Sequence, residues 1–575
     1  MHTFRVWAPK PERVDLLIGE AVHPMVPAEG GWWELAVEEA GPGTLYRFSL
    51  DGGPGRPDPR SASQPEGIDG PSEVVDHTAF PWSDKHWRGI PLSGAVLYEL
   101  HVGTFSPKGT FAGAAEFLDH LVALGIDAVE LMPVAEFSGR RGWGYDGVDL
   151  FAPHHAYGGP EGLKGLVDAC HAAGLGVVMD VVYNHLGPAG NYLPEFGPYF
   201  SDRHKTNWGD ALNYDGPDSG EVRRFVIDNA LSWLGDYHID GLRLDAVHAI
   251  VDDSALHLLE QLSDEVRALS ASTRRARFLV AESDLNDPKF VRPPLAGGYG
   301  LDASWSDEWH HALHATLTGE RSGYYEDFGP LSLLAKALKQ AWVYDGTWSQ
   351  HRRRVHGRSP EGLPGDRFVV STQNHDQVGN RAVGERSSAL MSEGRLKIAA
   401  ALMLTSPFVP LLFQGEEWGA VTPFQYFTDH PDPDLGRAVS EGRRGEFSYF
   451  GWEPDQVPDP QDISTFERSK LDWSEPAGRG HAMLDWYRKL IELRRRHLSL
   501  TDPRRDSIRV TFDEDAGWLV FRRPNIAVVL NIGTGVVSVP LGGFERLLLS
   551  SDPGVEVVGD LVSVPSDSVG VLGPG

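Results

Sequence analysis

Apolar and polar positions alternate near the start of the chain. Phe4, Val6 and Ala8 recur at every second position, the run Tyr46–Leu50 repeats the pattern, and Gly and Pro separate such runs. A period of two is typical of strands that bury one face of a sheet, and the turn residues between them indicate hairpins. We therefore predict a small β-sandwich over residues 1–90.

The same alternation returns after Leu500, again with turn residues between short runs. The sequence there predicts four strands, at Trp518–Arg522, Ala527–Leu530, Leu547–Leu549 and Leu561–Val564. Short strands joined by tight turns form antiparallel sheets. Residues 499–575 are therefore predicted to form a C-terminal antiparallel β domain.

Between these regions, apolar runs of strand length alternate with stretches of helical period. The sequence predicts eight strands here: Val96–His101, Ala128–Leu131, Val177–Val181, Gly241–Leu244, Phe278–Ala281, Ala303–Trp305, Phe368–Thr372 and Val409–Phe413. It predicts helices at Gly113–Leu124, Leu163–Ala173, Val222–Tyr237, Ser254–Leu269 and Ala482–Arg496. Alternation of this kind indicates parallel βα units, and eight of them make a (β/α)₈ TIM barrel. We place this α/β catalytic domain at residues 91–498.

Two long segments within the barrel region, 186–219 and 414–470, show no regular period and are interpreted as loops. Loops of this length in a compact enzyme are usually functional. Both follow predicted strands, so both should lie on the face of the barrel that carries active sites.

Composition narrows the possible partners. The chain has 575 residues, with 52 Lys and Arg against 81 Asp and Glu, a net charge of −29. Such a surface repels nucleic acid and anionic membranes, so a neutral substrate is expected and no protein partner is indicated. No apolar run approaches a membrane span and the first residues lack a signal-peptide core, which favours the cytoplasm. The single cysteine, Cys170, excludes an internal disulfide.

Candidate chemistry lies in four segments that follow or close predicted strands. They are Asp180–His185, Gly241–His248, Ala281–Asp284 and Gln373–Asp376. The carboxyl ends of barrel strands meet on one face, so polar groups from all four segments could share one cleft. Their carboxylates, Asp245, Glu282 and Asp376, form a candidate set for cutting a glycosidic bond.

Each acid also has a structural interpretation. Arg243 and Asp245 are two residues apart and therefore face the same side of a strand. There the guanidinium favours the ionised carboxylate that a nucleophile needs. An ion pair with a purely structural role in the barrel interior would give the same pattern. A partly desolvated Glu282 would have a raised pKa, which suits a general acid, although it could equally pair with Arg243. Asp376 could be a helix N-cap.

The histidines His185, His248 and His375 could each be structural, and the argument rests on the whole combination. The sequence has no His pair with zinc spacing, no glycine-rich phosphate loop after a strand and no G-x-S-x-G elbow. Acids in the 186–219 segment are scattered, so a calcium site is not expected even though Asn184 is present. We expect no metal and no cofactor.

The four segments resemble the signature regions of the α-amylase superfamily of retaining α-glucan enzymes, over Tyr98 to about Leu498. The resemblance implies that Asp245 is the nucleophile, Glu282 the general acid/base and Asp376 the stabiliser of the transition state. It also implies that the attacked sugar is bound by Tyr145, Asp180, His185, Arg243, His248 and His375. The N-terminal region is similar to the β-sandwich of isoamylases and branching enzymes.

A finer resemblance is to the family of maltooligosyltrehalose trehalohydrolases. It is carried by Leu97–Phe105, Gln373–Arg381, Phe413–Gly419 and Pro423–His430. It implies hydrolysis of the α-1,4 bond next to a terminal trehalose, with maltooligosyltrehalose as substrate and trehalose as product, as in trehalose biosynthesis. Two alternatives stay open: a glycogen branching enzyme, which transfers the glucan, and an inactive glucan-binding protein, disfavoured because all three acids are present.

The loop after the eighth strand is the natural source of contacts to the trehalose end. Glu417, Trp418 and Asp429 are our candidates, because they follow that strand and offer polar or aromatic groups. A local role is equally open for each: the glutamates could cap the following helix and the tryptophan could pack under the loop.

Overall fold

The barrel is closed by eight parallel strands. The computed structural model describes residues 1–448 and 456–575. The barrel strands are, in order, Leu97–Leu100, Ala128–Leu131, Gly176–Val181, Gly241–Leu244, Phe278–Ala281, Ala303–Trp305, Phe368–Ser371 and Val409–Phe413. The last strand pairs with the first, with Leu412 opposite Tyr98. The predicted TIM barrel is confirmed.

Every residue of these eight strands is buried. A parallel strand packs side chains on the barrel interior and helices outside, which is why its sequence is nearly continuous in apolar residues. The charged exceptions are Glu99, Glu130, Asp180 and Arg243. Burying a charge is costly unless it is paired and hydrogen-bonded.

Helices surround the barrel and fill its connections. They are Val102–Phe105, Phe111–Ala115, Leu118–Leu124, Gly159–Ala172, Leu193–Phe196, Ser219–Gly235, Leu258–Thr273, Asp307–Thr318, Leu331–Gln340, His375–Gly379, Ser387–Leu390, Glu393–Thr405, Pro433–Ser448, Ile463–Arg468, His481–Arg496 and Leu498–Thr501. The predicted helix Gly113–Leu124 is in fact two short helices, because the chain leaves the helical conformation at Phe117. The helix predicted from Ser254 begins at Leu258, where the His257 side chain accepts a hydrogen bond from the Leu259 amide.

Two sheets form the N-terminal region. One contains His2–Trp7, Val26–Pro27 and Trp32–Val37, and the other contains Val14–Ile18, Ala21–Pro24, Leu45–Leu50, Gly55–Arg56 and Ser72–Glu73. The alternating residues Phe4, Val6 and Leu16 are buried between them.

The N-terminal sheets contact the barrel region at residues 192–199. Trp7 packs edge-on against Tyr199 with ring centroids 5.1 Å apart, and the Lys10 amide donates to the Phe196 carbonyl at 3.2 Å. Arg56 forms an ion pair with Glu195 at 2.8 Å. The N-terminal sheets therefore pack on part of the long segment 186–219.

Two further sheets form the C-terminal region. The larger contains Arg509–Asp513, Trp518–Arg523, Ile526–Asn531, Arg546–Ser550 and Ser568–Gly573, and the smaller contains Val537–Pro540, Glu556–Val558 and Leu561–Val564. Arg395, on a barrel helix, forms an ion pair with Asp567 at 2.9 Å and ties this region to the barrel.

The long segments carry secondary structure of their own. Phe200–Thr206 and Gly209–Leu212 form a hairpin within 186–219, and 414–470 contains the helices Pro433–Ser448 and Ile463–Arg468. Part of the second segment, 449–455, lies outside the described residues. Another hairpin, Asp345–Ser349 with Arg354–Gly357, was not predicted. Among the described helices, none has the length and apolar character needed to cross a membrane.

Candidate active site

A cleft of about 570 Å³ opens at the carboxyl ends of the barrel strands. Asp245, Glu282 and Asp376 all line it. The other lining residues are Trp143, Tyr145, Asp146, His185, Leu186, Gly187, Pro188, Trp208, Ala246, His248, Asp284, His375, Asn380, Tyr426 and Thr428. The three candidate acids, which come from separate strands, therefore share one site.

Asp245 directly follows the fourth barrel strand and is fixed through both carboxylate oxygens. Arg243 Nη1 donates to Oδ1 at 2.8 Å, and Asn184 Nδ2 donates to Oδ2 at 2.9 Å. A guanidinium at this distance favours the anion. Asp245 is therefore oriented by a side-chain donor on each of its carboxylate oxygens.

Glu282 directly follows the fifth strand and is mostly buried, with its side chain 15% exposed. The Ala246 amide donates to Oε2 at 2.6 Å. Burial, with a smaller contribution from Asp245, raises the pKa of Glu282 well above its ordinary value, although Arg243 opposes this. A protonated carboxyl beside an ionised one is the pairing that general acid catalysis needs.

Asp376 lies in the first turn of the helix His375–Gly379, and its side chain is 44% exposed. The N-cap of this helix is Asn374, whose side chain accepts from the Gln377 amide at 2.9 Å. Asn380 Nδ2 donates to Asp376 Oδ1 at 3.1 Å. Because Asn374 performs the capping, the carboxylate of Asp376 faces the cleft.

Below the three acids lies a network of Tyr145, Asp180 and Arg243. Arg243 Nη1 donates to both oxygens of Asp180, at 2.9 and 2.7 Å, and Tyr145 Oη donates to Asp180 Oδ2 at 2.6 Å. Burial raises the pKa of Asp180 to about 7, and Arg243 limits that rise. The Tyr145 ring stacks on His375 with centroids 5.2 Å apart, so the tyrosine forms a fixed wall of the cleft.

The histidines of the cleft are held to different degrees. His185 Nε2 lies 2.9 Å from the Tyr145 carbonyl, and its ring stacks on Trp208 at 5.1 Å. Burial lowers the pKa of His185, so this ring is neutral at pH 7. His248 is exposed on the cleft wall.

Glu417 and Trp418 do not line the cleft, contrary to our interpretation of the eighth loop. Glu417 is fully buried, accepting from Tyr98 Oη at 3.1 Å and lying 2.7 Å from His120 Nε2. Trp418 is 1% exposed and donates to Glu475 at 3.1 Å. Both side chains are therefore engaged in buried local contacts. Trp418 packs beneath the loop against Trp473, whereas Glu417 binds Tyr98 and His120 and does not cap a helix.

Asp429 also lies outside the lining of the cleft. It accepts from the Arg140 amide at 2.9 Å and forms an ion pair with Arg141 at 3.0 Å. The same loop does reach the cleft through Tyr426 and Thr428. Neither residue was among our candidates, and a contact between this loop and the trehalose end stays a prediction.

Several lining residues were missed from the sequence. Trp208 is at the tip of the hairpin Phe200–Thr206 with Gly209–Leu212, and Asn380 lies four residues beyond Asp376. Asp284 ends a segment that we had singled out, and it pairs with Arg352 at 2.9 Å. Its position two residues after Glu282 was a usable signal, because alternate residues can face the same side.

Two histidine–carboxylate clusters occur within the described ranges, both outside the cleft lining. Glu136 lies beside His154 and His155, and Asp215 beside His204 and Asp253. The Glu136 oxygens are occupied by both imidazoles and by the His155 amide at 2.7 Å. Arg203 already pairs with Asp215 at 3.0 Å. Most polar atoms of each cluster thus have partners within the protein, although His154 Nε2 and Asp215 Oδ1 have no hydrogen-bond partner in the part of the chain that the structure describes.

Comparison with known proteins agrees with this geometry. A model of the α-amylase catalytic domain matches residues 69–208, and with the closed barrel and three clustered acids it defines a glycoside hydrolase of the α-amylase class. The malto-oligosyltrehalose trehalohydrolase of Arthrobacter ramosus is 53% identical over 546 residues, 94% of each chain. The chain belongs to the malto-oligosyltrehalose trehalohydrolase family.

Two other similar proteins show how specific this family assignment is. A Salmonella typhimurium protein, provisionally assigned as an alpha amylase, has a crystal structure that superposes on this one with a TM-score of 0.92. The two sequences are 40% identical, and the match covers 99% of this chain and 97% of that one. A 1,4-alpha-glucan branching enzyme of Rubrobacter xylanophilus is 33% identical over 424 residues, 64% of this chain and 56% of that enzyme. The similarity to branching enzymes is therefore partial.

Proposed function

We propose that this protein is a retaining glycoside hydrolase that cleaves the α-1,4-glucosidic bond next to the terminal trehalose of maltooligosyltrehalose. The products are trehalose and a shortened maltooligosaccharide. The observation that carries the proposal is the contrast between two carboxyl groups of one cleft. Asp245 is paired with Arg243 and oriented by Asn184, whereas burial raises the pKa of Glu282 well above its ordinary value.

The reaction proceeds in two displacements. Asp245 attacks the anomeric carbon, and Glu282 gives its proton to the glycosidic oxygen as the bond to trehalose breaks. Glu282, now a carboxylate, takes a proton from water. The resulting hydroxide displaces Asp245, so the new anomeric hydroxyl has the original α configuration and both acids return to their starting states.

The remaining groups orient the attacked glucose. Tyr145, His185 and His375 provide ring faces on the cleft wall, and the buried Arg243 orients Asp180 and Asp245 behind them. Asp376, with one oxygen fixed by Asn380 at 3.1 Å, accepts hydrogen bonds from glucose hydroxyls as positive charge develops at the anomeric carbon. Negative charge close to that carbon favours the transition state over the ground state.

The trehalose half leaves on the side of Glu282. Asp284 follows Glu282 by two residues, lines the cleft and is held by Arg352 at 2.9 Å. His248 lines the same wall. We assign contacts with the second glucose of trehalose to these groups, since they replace the buried Glu417 and Trp418 of the original hypothesis. A site that hydrogen-bonds hydroxyls rejects ligands that misplace them, because its own groups are left unpaired.

Product analysis tests this proposal. Purified protein is incubated with maltooligosyltrehalose and, separately, with maltohexaose, and Asp245→Asn serves as the inactive control. We expect trehalose as the main product and much slower cleavage of maltohexaose, with the α anomer formed first by NMR. New α-1,6 branch points would identify a branching enzyme, and an initial β anomer would contradict the covalent route.

A further inference from the structure

Glu99 is a buried carboxylate that lies outside the four segments proposed to carry the chemistry. It lies in the first barrel strand, Leu97–Leu100, and is 1% exposed. The His375 amide donates to Oε2 at 2.9 Å, and His375 Nδ1 contacts Oε1. Both oxygens of Glu99 therefore hold a single residue, through its backbone and its ring at once.

This clamp fixes the orientation of the imidazole. With Nδ1 turned to Glu99, Nε2 lies 2.8 Å from Tyr145 Oη and 3.4 Å from Asp376 Oδ2. The ring is packed between Tyr145, at 5.2 Å, and the edge of Trp143, at 5.7 Å. Since Tyr145 Oη donates to Asp180, its hydroxyl oxygen is free to accept a hydrogen bond from Nε2.

We propose that Glu99 is a positioning residue that holds His375 as an imidazolium cation whose Nε2–H donates to Tyr145 Oη at the wall of the cleft. A carboxylate on Nδ1 fixes the tautomer and strengthens donation from the opposite nitrogen. The cation then fixes the Tyr145 hydroxyl, which lines the cleft, and balances the charge of Asp376. This inference rests on the proposed glycosidase function for its catalytic meaning, but the state of His375 can be measured without substrate.

The charges around His375 support this state. The groups that face it from the surrounding elements are Glu99, Glu130, His101, Tyr145, Asp180, Arg243, Asp307 and Asp376. Burial alone would lower the pKa of His375, but Asp376 and Glu99 outweigh burial and raise it to about 9. The cation is therefore present at neutral pH and is lost as pH rises through about 9.

The neighbouring strand supplies a matched control. Glu130 is paired with Glu99 in the register of the first two barrel strands and is also 1% exposed. Within the described residues, neither of its oxygens has a hydrogen-bond partner, and burial raises its pKa well above the ordinary value. Glu130→Gln therefore alters the same layer without touching a contact to His375, whereas Glu99→Gln changes the group that holds the His375 amide and ring.

The direct test follows the His375 ring by NMR in protein labelled with ¹⁵N-histidine. Its resonances are those lost in His375→Asn. Wild-type His375 should titrate near pH 9, and in Glu99→Gln the transition should move about 1–3 pH units lower, the range for losing a close opposite charge. Glu130→Gln should titrate as wild type does.

Kinetics give a second readout. In Glu99→Gln, kcat/KM for maltooligosyltrehalose should fall further below the wild-type value on the alkaline side than at about pH 6. The reason is that His375 loses its proton at a lower pH in this variant, and this loss adds to any pH-independent effect of the substitution. If Glu99→Gln fails to fold, Glu99→Asp keeps the charge and should retain the wild-type titration of His375. A neutral His375 in the wild type at pH 7, no shift in Glu99→Gln, or an equal shift in Glu130→Gln would each overturn the proposal. Because the titration needs no substrate, failure of the proposed hydrolysis would be recognised separately.

Discussion

At the scale of single residues, the charges of the cleft converge on Arg243. Nη1 contacts Asp180 and Asp245, at 2.7 and 2.8 Å, while Nη2 lies 3.9 Å from Glu282. The planar group also lies over the Trp305 ring, 4.4 Å from its centroid. A lysine could supply the charge but not the fork or the stacked plane. One guanidinium therefore sets the geometry of three carboxyl groups.

Substitutions of Asp245 and Glu282 should reduce activity in different ways. We expect Asp245→Asn to abolish turnover of every substrate, because no covalent intermediate can form. Glu282→Gln should lower kcat for maltooligosyltrehalose about 10²–10⁴-fold, the usual contribution of general acid catalysis. With an α-maltosyl fluoride, whose leaving group needs no proton, formation of the glycosyl-enzyme should be largely spared in Glu282→Gln. Equal losses on both substrates would contradict the assignment of Glu282 as the acid.

The choice of trehalose-side residues can be tested by a matched pair of variants. Asp284→Ala should lower kcat/KM for maltooligosyltrehalose about 10–100-fold more than for maltohexaose, because a hydrogen bond to a charged group contributes roughly 1.5–3 kcal/mol. Glu417→Gln should leave the ratio of the two substrates unchanged and lower thermal stability, since it disturbs the buried contacts to Tyr98 and His120. A change of ratio in Glu417→Gln would return specificity to the eighth loop.

The sequence predicted the positions of the candidate acids more accurately than the positions of the residues proposed to contact the rest of the substrate. Asp245 and Glu282 directly follow buried strands, and that position alone directs a side chain to the barrel mouth. Glu417 also follows a strand, but the chain turns at Gly415, with φ of 83°, and at Gly419, with φ of 65°. These turns direct the short helix Glu416–Trp418 into the layer outside the barrel. Such a reversal leaves no mark in apolar periodicity.

At the scale of elements, the hairpin that carries Trp208 forms one wall of the cleft. Trp208 is 50% exposed and stacks on His185 at 5.1 Å. An aromatic face beside a neutral sugar site is a surface for stacking, and aromatic pairs contribute about 0.5–1.5 kcal/mol beyond buried area. This wall is therefore suited to binding the substrate more than to the chemical step.

We expect Trp208→Ala to raise KM for maltooligosyltrehalose about 2- to 10-fold, in line with that energy, with kcat changed less. Trp348→Ala is the control, because Trp348 is also exposed, at 60%, on the second hairpin, but does not line the cleft. Steady-state kinetics of the two variants check this. If Trp348→Ala had the same effect, the role of Trp208 would be indirect.

The two hairpins also show why some elements escape prediction. The eight barrel strands are buried along their whole length, so their apolar runs are visible in the sequence. Strands Phe200–Thr206 and Asp345–Ser349 lie largely on the surface. Without a buried face they have neither a continuous apolar run nor an alternating one. Their stability comes from tertiary contacts that a single sequence does not reveal.

At the scale of the whole molecule, a charged cluster ties the segment before the barrel to the helices beneath it. Asp84 lies 2.9 Å from His171 Nδ1, 2.8 Å from His238 Nδ1 and 2.9 Å from Arg275. Burial alone would raise the pKa of Asp84, but hydrogen bonds from Arg275 and His171 outweigh it and lower the pKa to about 2. The anion stabilises the folded state above the unfolded pKa of about 3.9, and this contribution is lost as pH falls toward 2.

Asp84→Asn should therefore lower the melting temperature at pH 7, because breaking a buried ion pair costs roughly 3–5 kcal/mol. The difference from wild type should narrow progressively between about pH 4 and pH 2, where the wild-type carboxylate is also protonated. Calorimetric melting temperatures at several pH values measure it. A difference that stays constant down to pH 2 would show that the loss is steric and not electrostatic.

We also expect hydrolysis to survive exhaustive chelation with EDTA. Glu282 supplies the proton that the leaving oxygen needs, so the reaction requires no Lewis acid. Asn184, which the sequence analysis considered as a calcium ligand, already donates to Asp245 and contacts His185. Activity before and after chelation and the melting temperature are the measurements. A loss that added calcium restores would reveal a metal site in this part of the loop.

Contacts between the N-terminal sheets and residues 192–199 are expected to set the heat tolerance of the cleft. These residues lie directly before the hairpin that carries Trp208, and Trp7, Lys10 and Arg56 of the N-terminal region hold them. A small folded unit buries a lower fraction of its surface than a large one and is correspondingly less stable. On warming, the wall of the cleft would lose this support while the barrel is still folded. Inactivation would then begin at these contacts, at a distance from the acids assigned to the reaction.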